Sequence, residues 1–123
     1  MKTNLIKEKS FAFALKVIKI SESMRNESKE FVLSKQLLRS GTAVGALVRE
    51  SEHAESRADF VHKLAIALKE ANETQYWLEL ISASGYMDKS KSIDSLTEIS
   101  EILRILVAII KTTKSKTLAS KTS

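Results

Sequence analysis

The chain has no cysteine, no proline, only three glycines, one tryptophan, and no acidic residue after Glu101. Without cysteine there is no disulfide framework, no thiolate metal site and no cysteine nucleophile, and a reducing, cytoplasmic setting is expected. Without proline, and with glycine confined to Gly41, Gly45 and Gly85, almost nothing punctuates the backbone before Gly85. That is the composition of long helices. Long hydrophobic runs are missing as well: Ile105 to Ile110 is the longest, far below the roughly 20 residues that span a bilayer. Met1 to Ser10 mixes Lys2, Lys7, Glu8 and Lys9 with only Leu5 and Ile6, so it lacks the apolar centre of a signal peptide and export is not expected.

What is present suits one folded domain. The 123 residues are 43% hydrophobic and 28% charged, enough apolar side chain for a core and enough charge for solubility. The net charge of +5 is local. Arg104, Lys111, Lys114, Lys116 and Lys121 all follow Glu101 with no acid among them, so the first 103 residues are neutral.

Periodicity predicts four helices, at about residues 10–25, 28–54, 57–84 and 93–111. The first has two apolar stripes, Phe11, Leu15 and Ile18 on one and Phe13, Val17, Ile20 and Met24 on the other. The second places Leu33, Leu37, Val44 and Val48 on a stripe that also contains Gly41. Ser56 followed by Asp59 reads as a capping box opening the third helix, and Gly85 as its left-handed stop. Between them Ala58, Val61, Leu64, Ala65, Leu68, Ala71, Leu78 and Ile81 keep helical spacing over roughly 40 Å. The fourth carries Leu96, Ile99, Leu103, Leu106 and Ile110 on one stripe and Ile102, Ile105 and Ile109 beside it. Helices with a second apolar stripe require a second partner, and self-association supplies one. Residues 112–123 contain Leu118 as their one large apolar side chain and are expected to be a disordered basic tail on a bundle domain of residues 1–111. Short connections make sequential helices antiparallel, so the expected fold is an all-α, up-down-up-down four-helix bundle.

The stretch SKQLLRSGTAVGALVRESEHAESRADFVHKLAIALKEANETQYWLELISASGYM resembles the four-helix bundle family encoded in 23S rRNA intervening sequences. KSFAFALKVIKI upstream and SLTEISEILRILVAIIKTTK downstream resemble that family's first and last helices, so the likeness covers most of the chain. The pieces that carry it most specifically are QLLRSGTAVGA, Ala54 to Lys63, and KEANETQYWLE. The resemblance implies a bundle that often assembles as a homopentamer, with a role around ribosomal or other RNA. In architecture the chain is also similar to the pentameric accessory proteins of diversity-generating retroelements, which bind nucleic acid and a reverse transcriptase. The family pattern usually has a small hydroxyl residue at Ala43 and asparagine at Leu47, while Arg39, Ser40 and Glu50 match it. A polar contact inside the second helix is thus expected to be replaced by apolar packing.

Four constellations bear on function. Arg39, Glu50, Glu70 and Glu73 are expected to form ion pairs that set helix register. Glu50-x-x-His53 and Asp59-x-x-His62 echo the carboxylate-histidine pairs of di-iron bundles. At that level, however, the fourth helix offers Lys111 and Lys114, which repel a cation, so no metal and no cofactor is expected. Gly41-x-x-x-Gly45 permits close helix approach and lacks the lysine and preceding strand of a phosphate loop. Tyr76, Trp77 and Tyr86 are expected in the core or a subunit interface. With no nucleophile, metal set or cofactor loop the chain is not expected to be an enzyme. Arg104, Lys111, Lys114, Lys116 and Lys121 are the candidate nucleic-acid contacts, since clustered cations gain affinity for polyanions by releasing counterions. In a ring of five their tails would gather about 20 lysines on one rim. An oligomeric RNA-binding scaffold is the reading, with a nucleic-acid-processing enzyme as a further partner class. A structural or protein-binding homo-oligomer is the alternative.

Overall fold

Nothing in the first 40 residues forbids a helix, and α1 runs Lys2–Glu27, starting well before residue 10. Its early turns are held by Ile6, 1% exposed, on the same face as Phe13, Val17, Ile20 and Met24. The computed structural model describes the backbone of residues 2–122 and the side chains of residues 3–119. The chain reverses at Lys29, whose φ of 55° is left-handed, a conformation costly to a residue with a Cβ. This bend delays α2, which spans Val32–Ser51 and not 28–54. The Glu30 carboxylate accepts the otherwise orphaned N–H groups of Leu33 at 2.7 Å and Ser34 at 3.1 Å, as a capping side chain does. At its far end the N–H groups of Glu52, His53 and Ala54 reach back only three residues, so the last turn tightens and stops.

Helix α3 covers Arg57–Ala83. Ser56 Oγ accepts from the Asp59 N–H at 3.0 Å. Asp59 answers by accepting from the Glu55 N–H, one residue earlier than a standard capping box. Gly85 follows with φ 81°, the left-handed stop. Helix α4 covers Lys89–Thr122. Asp88 caps its start, accepting from the Lys91 N–H at 2.8 Å. The expected disordered tail from residue 112 is instead a continuation of this helix. No glycine or proline interrupts it, lysine is a good helix former, and Thr113 and Thr117 donate to the carbonyls of Ile109 and Thr113.

Cross-helix contacts fix the topology. Lys7 lies against Glu52 and Ser21 against Ser34, so α1 and α2 are antiparallel. Glu50 meets Lys63, and Arg39 meets Glu70 and Glu73, which sets α2 antiparallel to α3. Lys9 meets Glu101, and Lys16 meets Asp94 and Glu98, which closes α1 antiparallel to α4. Each helix packs closely on its two neighbours, and among the described residues the backbones of the diagonal pairs α1/α3 and α2/α4 stay more than 8 Å apart.

The core takes both stripes of α4: Ile99, Ile102, Leu106, Ile109 and Ile110 are buried, and Leu96, Leu103 and Ile105 pack against them. The second stripe of α4 therefore needs no outside partner, because flanking α1 and α3 cover it from two sides. On α1 the outcome differs. Phe13, Val17, Ile20 and Met24 enter the core, while Phe11, Leu15 and Ile18 stay outside. The Gly41–Gly45 pair serves the α1–α2 contact. A Cβ added at Gly41 would stand 2.8 and 2.9 Å from the two methyl groups of fully buried Val17, whereas one at Gly45 would lie an ordinary 3.5 Å from Ser10.

Replacing Gly41 by Ala is expected to lower stability by about 1 kcal/mol, because overpacking against a stiff β-branched side chain exceeds the gain in helix propensity. Gly45→Ala keeps that gain and holds or raises stability by up to about 1 kcal/mol. Thermal unfolding of the two variants checks this, and equal shifts would contradict the packing account. A second test concerns the α1–α4 ion pairs. A hydrogen bond from Lys9, aided by its charge, holds Glu101 below the ordinary carboxylate value of 4.5. Burial opposes the charged form of Lys16, but hydrogen bonds from it to Asp94 and Glu98 prevail and hold it above 10.5. The Glu101 contribution is therefore present above pH 4.5 and lost as pH falls through its depressed folded value. That of Lys16 is full below pH 10.5 and lost as pH rises through its raised one. The stability difference between wild type and Glu101→Gln should close on acidification, as urea midpoints across pH would show.

Candidate nucleic-acid interface

Helix register determines where the basic residues lie. With Lys9 opposite Glu101 and Lys16 opposite Asp94, the start of α1 falls near residue 108, so the end of α4 projects about 20 Å past it. Lys111, Lys114 and Lys116 are exposed along this stretch. Lys121 lies outside the residues whose side chains are described.

The cations do not share one face. Arg104 and Lys111, two turns apart, line an open trough between α3 and α4 of about 760 Å³ with Leu68, Lys69, Leu103 and Val107. Lys114 follows nearly in line. Lys116 points about 140° round the helix from Lys111, away from the trough. Lys69 joins this group although counting charge by segment does not reveal it. Its signal is the helical spacing from Ala65 and to Asn72, which line the same trough. No acid lines the trough.

Of the polar residues, the structure brings three together. Arg39 Nη1 donates to Glu70 Oε2 at 3.2 Å and Arg39 Nη2 donates to Glu73 Oε1. The same Glu73 oxygen accepts from Trp77 Nε1 at 3.3 Å. Arg39 is half exposed, Glu70 only 14% exposed, so the pair sits where the α2–α3 seam meets water. Glu50 is not part of this group; it pairs with Lys63 at 3.2 Å. Trp77 packs on the core and meets Tyr76 edge-on, centroids 5.2 Å apart. Tyr76 and Tyr86 are exposed, 55% and 41%, and so are not core residues.

Below the Arg39 group lies a buried polar contact. Thr74 Oγ1 donates to Ser40 Oγ at 2.9 Å, and Ser40 Oγ donates on to the Gln36 carbonyl at 3.1 Å. Ser40 and Thr74 are both fully buried. At the opposite end, where carboxylate-histidine pairs echo a metal site, Glu50 is held by Lys63 and Asp59 by the start of α3. Among the described residues no three histidine or acidic side chains converge as a metal set would require. No helix among them is long and apolar enough to cross a membrane.

Arg39→Ala removes a half-exposed partner from two carboxylates and should lower stability by about 1 kcal/mol. A double-mutant cycle with Glu73→Gln reads the coupling, and an unchanged melting temperature in Arg39→Ala would refute the bridging role.

Residues 2–108 match the 23S rRNA-intervening sequence protein family. A crystal structure of a protein of unknown function from the S23 ribosomal protein family of Bacteroides thetaiotaomicron superposes with a TM-score of 0.88 at 50% identity. The match covers 90% of this chain and 99% of that one. A comparison with curated proteins finds no match. With the family match running from α1 through most of the core-forming part of α4, the chain belongs to the 23S rRNA-intervening sequence protein family.

Proposed function

We propose that the protein is a non-enzymatic, homo-oligomeric scaffold that binds RNA through the projecting basic end of α4. The observation that carries this reading is a helix end with Lys111, Lys114 and Lys116 exposed and no acid after Glu101. Such an end offers a polyanion several cations at fixed spacing, and binding gains from released counterions. The family's name, which refers to 23S rRNA, makes RNA the polyanion of choice. Assembly multiplies the effect, since each additional copy adds another basic end to the same particle. A ring of five is the form proposed, acting in the cytoplasm, where a chain free of cysteine needs no oxidising surroundings.

One observation favours a second reading, a structural or protein-binding homo-oligomer with no nucleic-acid role. Arg104 and Lys111 line an apolar trough, and Lys116 points elsewhere, so the cations are not one continuous strip.

Gel-shift titrations with single-stranded RNA across a salt series separate the two. RNA binding through lysines predicts log K falling linearly with log salt, by about 0.7 per phosphate neutralised. Lys114→Glu with Lys116→Glu should weaken binding at least about tenfold at low salt without changing the helix content. An oligomer that leaves RNA unshifted at low salt would establish the second reading instead.

A further inference from the structure

Two surfaces of the bundle are complementary and cannot meet within one copy. The first is the outer crest of α1. Phe11, Leu15 and Ile18 are 53%, 52% and 42% exposed, and their steps of four and three align them over about 10 Å. Glu8 and Glu22 prolong the crest at either end, exposed and outside the described ion pairs. Arg49 stacks on the flank of Phe11 at 5.5 Å, and Lys19 turns to the cleft it shares with Asp88 and Asp94. The crest line itself is therefore apolar between two acids.

The second surface is the α3–α4 trough. Its floor is Leu68, Leu103 and Val107 and its cations are Lys69, Arg104 and Lys111, none of them in a described ion pair. From Leu103 to Lys111 it measures about 12 Å along α4, close to the length of the crest. The apolar floor matches the apolar ridge in length, and its cations are opposite in sign to the two acids, which stand about 21 Å apart and so reach about 5 Å past either end of the trough, within the span of lysine and arginine side chains. Helix α1 lies diagonally across the bundle from α3, so its outer crest faces away from the trough.

We propose that the α1 crest of one copy seats in the α3–α4 trough of the next, with Glu8 and Glu22 against Lys69, Arg104 and Lys111. This rests on the homo-oligomer proposed above and names its two surfaces. Because the surfaces differ, the contact is head-to-tail, which closes into a ring when the rotation per copy divides the circle. The cations then serve two different contacts, since those in the trough hold the neighbouring subunit while Lys114 and Lys116 beyond it are left for RNA.

Light scattering with circular dichroism tests the proposal on the full-length chain. Wild type should run as an oligomer, and Leu15→Glu, an exposed position that leaves the core intact, should run at monomer mass with an unchanged helical spectrum. Glu8→Lys with Glu22→Lys should weaken association at least about tenfold, as close like charges do. Arg104→Glu with Lys111→Glu should do the same, and all four changes in one chain should restore the oligomer. A wild-type oligomer whose mass survives Leu15→Glu and both reversals would overturn this contact while leaving the oligomer standing. Wild type at monomer mass would overturn both.

Discussion

The contact of Val17 with Gly41 sets how closely α1 seats on α2. Burial of apolar area already favours the inner stripe, which carries Ile6, Phe13, Val17, Ile20 and Met24 against Phe11, Leu15 and Ile18 on the outer one. The small residues add fit. Gly41 admits the Val17 methyl groups where a Cβ would stand under 3 Å from them, and Gly45 lies against Ser10. Ser21 donates to the Ser34 carbonyl at 3.0 Å on the same seam. With a stripe as bulky as Phe11, Leu15 and Ile18 turned inward, the α1 and α2 backbones could not approach so closely. The inner stripe wins by area and by fit, and the outer one is left as a crest. Close packing inside the monomer and the exposed surface outside it thus have one cause.

Where α1 meets α2 the seam is narrow and built on small residues; where it meets α4 charge takes over. Lys9 with Glu101, and Lys16 with Asp94 and Glu98, align the two helices along their length. Exposed pairs of this kind add little stability one at a time, but they penalise a shifted register, since sliding α4 by one turn breaks Lys9–Glu101 and leaves Lys16 with one of its two partners. This register fixes how far α4 extends past α1, on the side where α3 still runs beside it. The length of α4 left without α1 is therefore a property of the α1–α4 pairing and not only of the terminal sequence.

Much of this is legible in the sequence, and the failures have physical reasons. Helix α3 is readable because Ser56, Asp59 and Gly85 act locally, through backbone groups a few residues away. The start of α2 is not, because nothing in SKEF announces that a lysine adopts a left-handed φ. The double stripe of α4 is visible but points to the wrong partner: periodicity counts apolar faces without saying how many neighbours cover them, and α4 has two. Ser40 and Thr74 stand in the apolar stripes, between Leu37 and Val44 and between Ala71 and Leu78, yet their pairing needs the register of two helices. Lys69 is hidden for the same reason, since its companions Arg104 and Lys111 belong to another helix.

The end of α4 changes meaning once it is helical. A disordered tail must lose backbone entropy on meeting a polyanion, of the order of 1 kcal/mol or more for each residue it orders. Residues already in a helix have lost that freedom during folding, so their lysines bind at fixed spacing for little further entropic cost. A rigid end also has direction. Lys111 and Lys114 point along the trough side while Lys116 points away from it, so a strand passing the tip meets cations on two faces. Sequence composition counts these charges equally; the helix sorts them by angle, and that sorting is what lets one continuous helix carry both the subunit contact and the nucleic-acid contact proposed for it.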